Sequence, residues 1–439
     1  MGVGGGQAAI TQGHGGVQPP GTGVRPTPVT KTPHFPATTT PVEQVRQLVQ
    51  CGGTMYAVGR FSTIISGQKT YTRHNAFSFK ASSPYTVTPW APKVNGEVNS
   101  IAFRRGKCSD AYIGGSFSAI GHTRAHNIAE ITTGNGTVVT RFGHDASATV
   151  ETLLMLRDRI LVGGFYRSIN GSSANPYMTA LNLASGKDDG FVHLHIRGHY
   201  SFPHVAPNRT RVFNQSLSHS GKLDMVVGDF TSVGGLKRQQ IFMLKVSGSA
   251  ARVTSWTSRL FARHCITLEP EYVEAASWSP NDKDLYIATT GSHAYQQPTK
   301  GTSRRTGLCD AATKFPAAQK TVKPIWINYT GCDSLYSTAV DKGTAYFAGH
   351  ERWSMNPRGC NDEGPGAYYA PGMEGVSPKT GALYLNARGT RGYYERARGY
   401  GADDMLLTHA GLWIASDNFS DAQMCGGVAN LAGICFLPY

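Results

Sequence analysis

The residue types best suited to chemistry cluster late in the chain. His350, Glu351, Arg352 and Trp353 are consecutive, Asp333 precedes them, and Asp403 and Asp404 form a second acidic group. A sugar is held by a flat aromatic face together with planar hydrogen-bonding side chains. Trp353, Tyr368 and Tyr369 can supply the face, and Glu351, Arg352 and Asp404 the hydrogen bonds. Carboxyls of this set, Glu351, Asp403 or Asp404, could instead act as acid and base beside His350 and Arg352. A third reading is a His/Arg/Asp network that braces neighbouring units of the fold. The residue types leave these readings open.

Two further sets invite a ligand. His193 and His195 put two imidazoles on one side of a strand, with His199 and His204 following, but no Asp, Glu or Cys lies within the run. That is a poor metal donor set, so neither metal nor cofactor is expected. Asn135, Asn170, Asn208, Asn214, Asn328 and Asn418 each begin an Asn-x-Ser/Thr sequon, which matters only in a eukaryotic secretory host.

The elements that position these residues come from a repeat. Its core is an aromatic or aliphatic residue, two apolar or small residues, Gly, any residue, then an aromatic. Tyr56 to Phe61, Tyr112 to Phe117, Leu161 to Tyr166 and Met225 to Phe230 are strong copies. Tyr286 to Thr289, Tyr346 to Gly349 and Trp413 to Ser416 are weaker ones. The fourth positions (59, 115, 164, 228, 289, 349 and 416) recur about every 60 residues. Each period has room for four short strands divided by Gly/Asn/Asp/Ser turns, as in a β-propeller blade. A glycine-rich phosphate loop would need a helix after the glycines, and none is indicated. The expected fold is all-β: a single seven-bladed β-propeller of four-stranded blades spanning 28–439. The last copy has only three strands of its own. Residues 28–36 are therefore expected to supply its outer strand and close the ring, leaving no unpaired gap. Residues 1–27 read as a flexible tether, because 1–40 hold 9 Gly, 6 Pro and 8 Thr and no acid precedes Glu43.

On these motifs the repeat resembles the delta-60 repeat of secreted bacterial β-propellers. The C-terminal half is similar to an uncharacterised group of such proteins, through Leu308 to Ala312, Tyr329 to Tyr336, Gly349 to Trp353, Gly364 to Ala367 and Gly401 to Asp404. The resemblance implies fold and secretion, and it implies no activity.

The eight cysteines sort by loop on this frame. Cys51 and Cys108 fall in corresponding turns of neighbouring blades. Cys265 with Cys309, Cys332 with Cys360, and Cys425 with Cys435 each share one face of the ring. Four disulfides are expected, and with them an oxidising, extracellular location. No leader pattern is legible in the first residues, so export rests on the cysteines.

Composition limits the partners. There are 42 Lys+Arg against 28 Asp+Glu, a net charge of +14, which favours anionic polymers. No apolar run approaches the ~20 residues of a membrane-spanning helix. No recognition helix or stacking module suggests specific nucleic-acid binding. The leading expectation is a non-catalytic extracellular module for a glycan or anionic polymer. A glycan hydrolase or lyase, and a scaffold for other secreted proteins, are the alternatives.

Overall fold

The computed structural model describes residues 16–36, 42–200, 209–263, 265, 271–291, 307–318, 320–357, 359–396, 398–419 and 432–439. Among these the only helical element is the short 3-10 turn Arg259–Ala262. No helix is long and apolar enough to cross a membrane.

Seven antiparallel sheets of three or four strands follow one another along the chain. Their first strands are Gln44–Cys51, Glu97–Phe103, Val150–Met155, Arg211–Leu217, Val273–Trp278, Leu335–Val340 and Asp404–Thr408. Each first strand packs beside the next, and Asp404–Thr408 packs beside Gln44–Cys51. The second strands carry the repeat motif (Thr54–Arg60, Asp110–Ser116 and their counterparts) and lie outside the first. Sheets placed face to face around the line of first strands make an all-β propeller.

An apolar layer fills each space between consecutive sheets. Tyr56 and Val58 of the first sheet pack on Val98, Ile101 and Ile113 of the second. Trp413 and Phe436 of the seventh pack on Phe77 and Phe79 of the first. Trp413 is 1% exposed and stacks on Phe436 at 4.2 Å. Burying an aromatic of this size is worth ~3 kcal/mol, so these layers hold the sheets in place.

The repeat's glycine has a backbone cause. Gly59 pairs with Val45, just before a β-bulge that ends at Gln47. A Cβ on Gly59 would collide with the carbonyl oxygen of Gln44. The same clash, against Glu97, Arg211 and Ser334, awaits a side chain at Gly115, Gly228 and Gly349. Glycine lets the bulged first strand lie close to the second.

The outer edge differs from four complete strands per sheet. Only the fourth and fifth sheets have four. In the first, second, third and sixth, the outer segment touches by one bridge: Phe79 with Val87, Ile131 with Val138, Leu181 with Asp188 and Val376 with Leu383. The first of these outer segments runs into Pro89, which lacks the N–H a ladder needs.

The N-terminal segment lies against the last strand, Ile434–Pro438. The Val29 N–H donates to Phe436 O (3.0 Å), the Thr32 hydroxyl to Ile434 O (3.1 Å) and the Phe35 N–H to Ala432 O (3.0 Å). Residues 16–27, expected within a flexible tether, are also packed. Val17 bridges Tyr384, Val24 is 2% exposed, and Tyr394 Oη donates to Val24 O at 3.1 Å. Val17 and Val24 anchor this stretch because they fill apolar gaps between the sixth and seventh sheets. Residues 1–15 lie outside the described residues.

Disulfides join Cys51 to Cys108, Cys265 to Cys309 and Cys332 to Cys360, with Cα separations of 5.8, 6.1 and 4.6 Å. The fourth expected pair involves Cys425, which lies outside the described residues.

Candidate functional site

The β-bulge recurs at the same place in six first strands and decides what faces the axis. The bulged residues are Arg46, Asn99, Glu151, Phe213, Glu274 and Tyr336. Asp403 takes the corresponding place in the seventh sheet, where its N–H donates to Ala415 O at 3.0 Å. A bulge turns one extra residue out of the ladder and re-aims its side chain. All seven line one cavity of about 1010 Å³.

The residue after the bulge fastens one sheet to the next. Asp404 Oδ2 accepts the Leu48 N–H at 2.9 Å. Gln47 Oε1 accepts the Ile101 N–H at 2.7 Å, and Ser100 Oγ accepts the Leu153 N–H at 3.1 Å. Ser337 Oγ donates to Ala402 O at 2.8 Å. Side chain-to-backbone bonds thus run from the seventh sheet to the first, second and third, and from the sixth to the seventh. They satisfy backbone groups that face away from the ladder on the inner edge of each sheet.

The wall of the cavity mixes charge with rings. Arg46 Nε meets Glu97 Oε1 at 2.6 Å, and its Nη1 meets Asp403 Oδ1 at 3.0 Å. Asn99 Nδ2 donates to Glu151 Oε2 at 2.9 Å. The Arg211 guanidinium lies 4.4 Å from the Phe213 ring centre, and Phe213 meets Tyr272 edge-on at 5.2 Å. Tyr400, 53% exposed, lies at the cavity with its ring 4.8 Å from Phe419.

Burial pushes the axial carboxyls up. Glu274 rises to about 7; burial leads, Arg211 opposes it, and Asp403 and Glu151 add to it. Asp403 also rises to about 7, against the pull of Arg46. Asp404 rises to about 6 despite the Leu48 N–H. Glu151 rises through burial, opposed by Arg211 and Arg46. Burial alone would weaken the hold of Arg46 on its proton, but Asp403 and Glu97 overcome it, so Arg46 stays charged. Near neutrality, then, the cavity carries carboxyls in both protonation states beside fixed guanidiniums.

The residues expected from the sequence divide into separate groups. Asp403 and Asp404 line the axial cavity. Asp333 is held between two guanidiniums: Arg352 Nε lies 3.2 Å from its Oδ2, and Arg398 Nη2 lies 3.1 Å from its Oδ1. Arg398 Nε donates to His350 O at 3.0 Å, and His350 Nδ1 meets Gly399 O at 2.7 Å. Burial lowers the His350 pKa and Arg398 adds to that.

Glu351 is fully enclosed, and neither carboxyl oxygen has a hydrogen-bond partner among the described residues. Burial, then the nearby Glu374, raise its pKa well above the ordinary value. Trp353 donates its indole N–H to Asn361 O at 3.1 Å and meets Tyr369 edge-on at 5.4 Å. The Arg391 guanidinium lies 4.6 Å from the Tyr369 ring centre. Tyr368 Oη accepts the Gly16 N–H at 3.4 Å.

Arg46, Asn99, Glu151, Phe213 and Glu274 carry no common residue type, so the repeat does not single them out. The available signal is the valine just before each of them: Val45, Val98, Val150, Val212 and Val273.

The only group of three or more potential metal-donor side chains among the described residues is Cys265, Glu271 and Cys309, and its two sulfurs are joined in a disulfide.

No protein-family model matches the chain, and no curated protein is significantly similar to it. Similar solved structures include the WD40 beta propeller domain of Doa1, with 10% identity, 89% of this chain and 95% of that chain covered, and a TM-score of 0.44. The computationally designed Ika8 protein is similar at 7% identity, with 94% of this chain and all of that chain covered, and a TM-score of 0.42. At this distance the likeness bears on neither ligand nor partner.

Proposed function

We propose that the protein is an extracellular, non-catalytic binding module for a glycan or polyanionic cell-surface component, with the axial cavity as its ligand site. The frame is a seven-bladed ring of the delta-60 type, closed by the N-terminal segment against the last strand. The paired cysteines and the net charge of +14 support an exported protein that meets anionic surfaces.

One observation carries the ligand reading. The cavity joins aromatic faces (Phe213, Tyr272, Tyr336) to planar hydrogen-bonding groups (Arg46, Asn99, Glu97) in one polar space. Rings supply apolar contact to the C–H face of a sugar, and the planar groups fix its hydroxyls. The Arg352, Asp333 and Arg398 cluster is ion-paired and is not part of the axial cavity wall. It fits the bracing role better than the binding one.

A hydrolase or lyase is the second reading. It is favoured by Glu274 and Asp403, whose carboxyls are pushed up to about 7, where a group can serve as acid or base.

A glycan-array screen of the full chain, with Phe213→Ala and Trp353→Ala beside it, tests the binding reading. Phe213→Ala is expected to weaken the best ligand at least tenfold, while Trp353→Ala leaves it unchanged. Absence of binding to any glycan or anionic polymer would remove the proposal. Release of new reducing ends by the wild-type chain, abolished in Asp403→Asn, would replace it with the enzyme reading.

A further inference from the structure

The axial cavity does not end at its rim. A second cavity of about 430 Å³ shares Ser116 with it, and a third of about 590 Å³ shares Ser147 with the second. The three spaces abut in series over the loops that enter the second, third and fourth sheets. Three neighbouring spaces in series suit an extended ligand better than one small molecule.

The charge composition changes along this groove, from an axial end that mixes five carboxyls with Arg46, Arg60 and Arg211 to a wall without acids. The axial end holds the raised carboxyls. The second cavity holds a His126–Asp145 pair at 2.9 Å. The third is lined by Arg167, Arg209 and His199, with no carboxylate in its wall. Residues 159–187 and 190–223, which supply these side chains, contain no Asp or Glu at all. Among the described residues neither Arg167 nor Arg209 is in a salt bridge. Asp229, which interacts electrostatically with His199, is enclosed and accepts the Tyr200 N–H at 2.7 Å.

The cationic groups are held rather than loose. The Arg209 guanidinium lies 5.3 Å from the Phe165 ring centre. Ser147 Oγ accepts the N–H groups of Arg167 and Ser168, each at 3.0 Å, which fixes the loop carrying Arg167. His199 Nδ1 is engaged with Tyr200 O at 3.0 Å, leaving Nε2 for a ligand. Two guanidiniums and an imidazole lining one cleft without acids suit an oxyanion.

We infer that this rim cleft is an anion subsite, taking the sulfate or carboxylate substituent of a glycan whose uncharged part lies in the axial cavity. The inference rests on the glycan reading above and names the ligand class: an acidic oligosaccharide with sparse charge. A polymer charged at every residue would also set anions in the axial end, where Glu97, Glu151, Glu274, Asp403 and Asp404 outnumber Arg46, Arg60 and Arg211, so sparse charge fits better.

Titration calorimetry on the full chain tests this with four probes: a neutral oligosaccharide, a uronate-containing one and a sulfated one of equal length, and inorganic sulfate. Arg167 and Arg209 are exposed, so Arg167→Ala/Arg209→Ala should keep the wild-type melting temperature. Wild type is expected to prefer the acidic oligosaccharides by ten- to a hundredfold, with a preference that shrinks as salt rises. The double variant should lose that preference and keep its affinity for the neutral probe, whereas Phe213→Ala should weaken every oligosaccharide. The stronger of the uronate and sulfate arms identifies the substituent. Equal affinity for neutral and acidic probes, or a preference that survives the double substitution, overturns the anion subsite while the glycan reading stands. Sulfate binding that depends on both arginines, without any oligosaccharide binding, upholds the subsite and sinks the glycan reading. Silence from all four probes overturns both.

Discussion

Asp333 sits between Arg352 and Arg398, an arrangement suited to bracing. Its side chain is 4% exposed and faces two guanidiniums that are themselves a quarter to a third exposed. Removing the carboxylate leaves two cations crowded together, and water reaches them only in part. Asp333→Asn should therefore destabilise the fold by about 2 kcal/mol, less than for a fully enclosed pair. Urea unfolding measures this, and ligand affinity should not change. A large loss of affinity with unchanged stability would return Asp333 to the binding site.

Glu374 makes a different statement about pH. It is fully enclosed, and burial pushes its carboxyl up to about 7, against hydrogen bonds from Ser354 and Asn328. The folded chain holds this proton more tightly than the unfolded chain does. The resulting stability is complete below the unfolded value and is lost as pH rises through about 7. It amounts to about 3 kcal/mol. The melting temperature should fall between pH 5 and pH 8, and Glu374→Gln should flatten that fall. A slope unchanged by the substitution would show that Glu374 does not carry it.

At the scale of the strand, glycine and bulge are two views of one device. Gly115 sits opposite Val98, and its Cα faces the carbonyl of Glu97 across the bulged strand. Gly115→Ala forces backbone against backbone, so it should cost about 1–3 kcal/mol, measured by chemical unfolding. It should also disturb Asn99, the bulged residue beside it. A neutral substitution would mean that the close approach of the two strands is not required.

The same device explains what the sequence makes legible. The glycine recurs because backbone geometry demands it, so the period and the strand-rich fold can be read from Gly59, Gly115, Gly164 and Gly228. The bulge is a property of pairing and needs no particular side chain. Its residues, Arg46, Asn99, Glu151, Phe213 and Glu274, differ from copy to copy, and turn length shifts their distance from the glycine. Asp403 and Asp404 were legible as chemical residues. Their neighbours across the axis were not, because each comes from a different repeat and only the curvature of the whole chain brings them together.

At the scale of the molecule, the two ends of the chain depend on each other. Phe35 is 1% exposed, packed 5.6 Å from Phe61, and its N–H is bonded to Ala432. Val29 and Thr32 continue the contact along Ile434–Pro438. Without this segment the last strand would show an open row of N–H and C=O groups, a template for pairing with another chain. The apolar layer around Trp413 and Phe436 would lose its cover at the same edge. A chain lacking residues 1–36 should therefore melt at a markedly lower temperature. It should also associate in a concentration-dependent way, read by light scattering. Phe35→Ala isolates the packing component, with an expected loss of about 3–5 kcal/mol and no new association, since the backbone cover remains. If the truncated chain stayed monomeric with an unchanged melting temperature, the seventh and first sheets would have to be held by their shared core and the Asp404–Leu48 bond alone. The axial ring of bulged residues would then owe nothing to the chain's N-terminal segment.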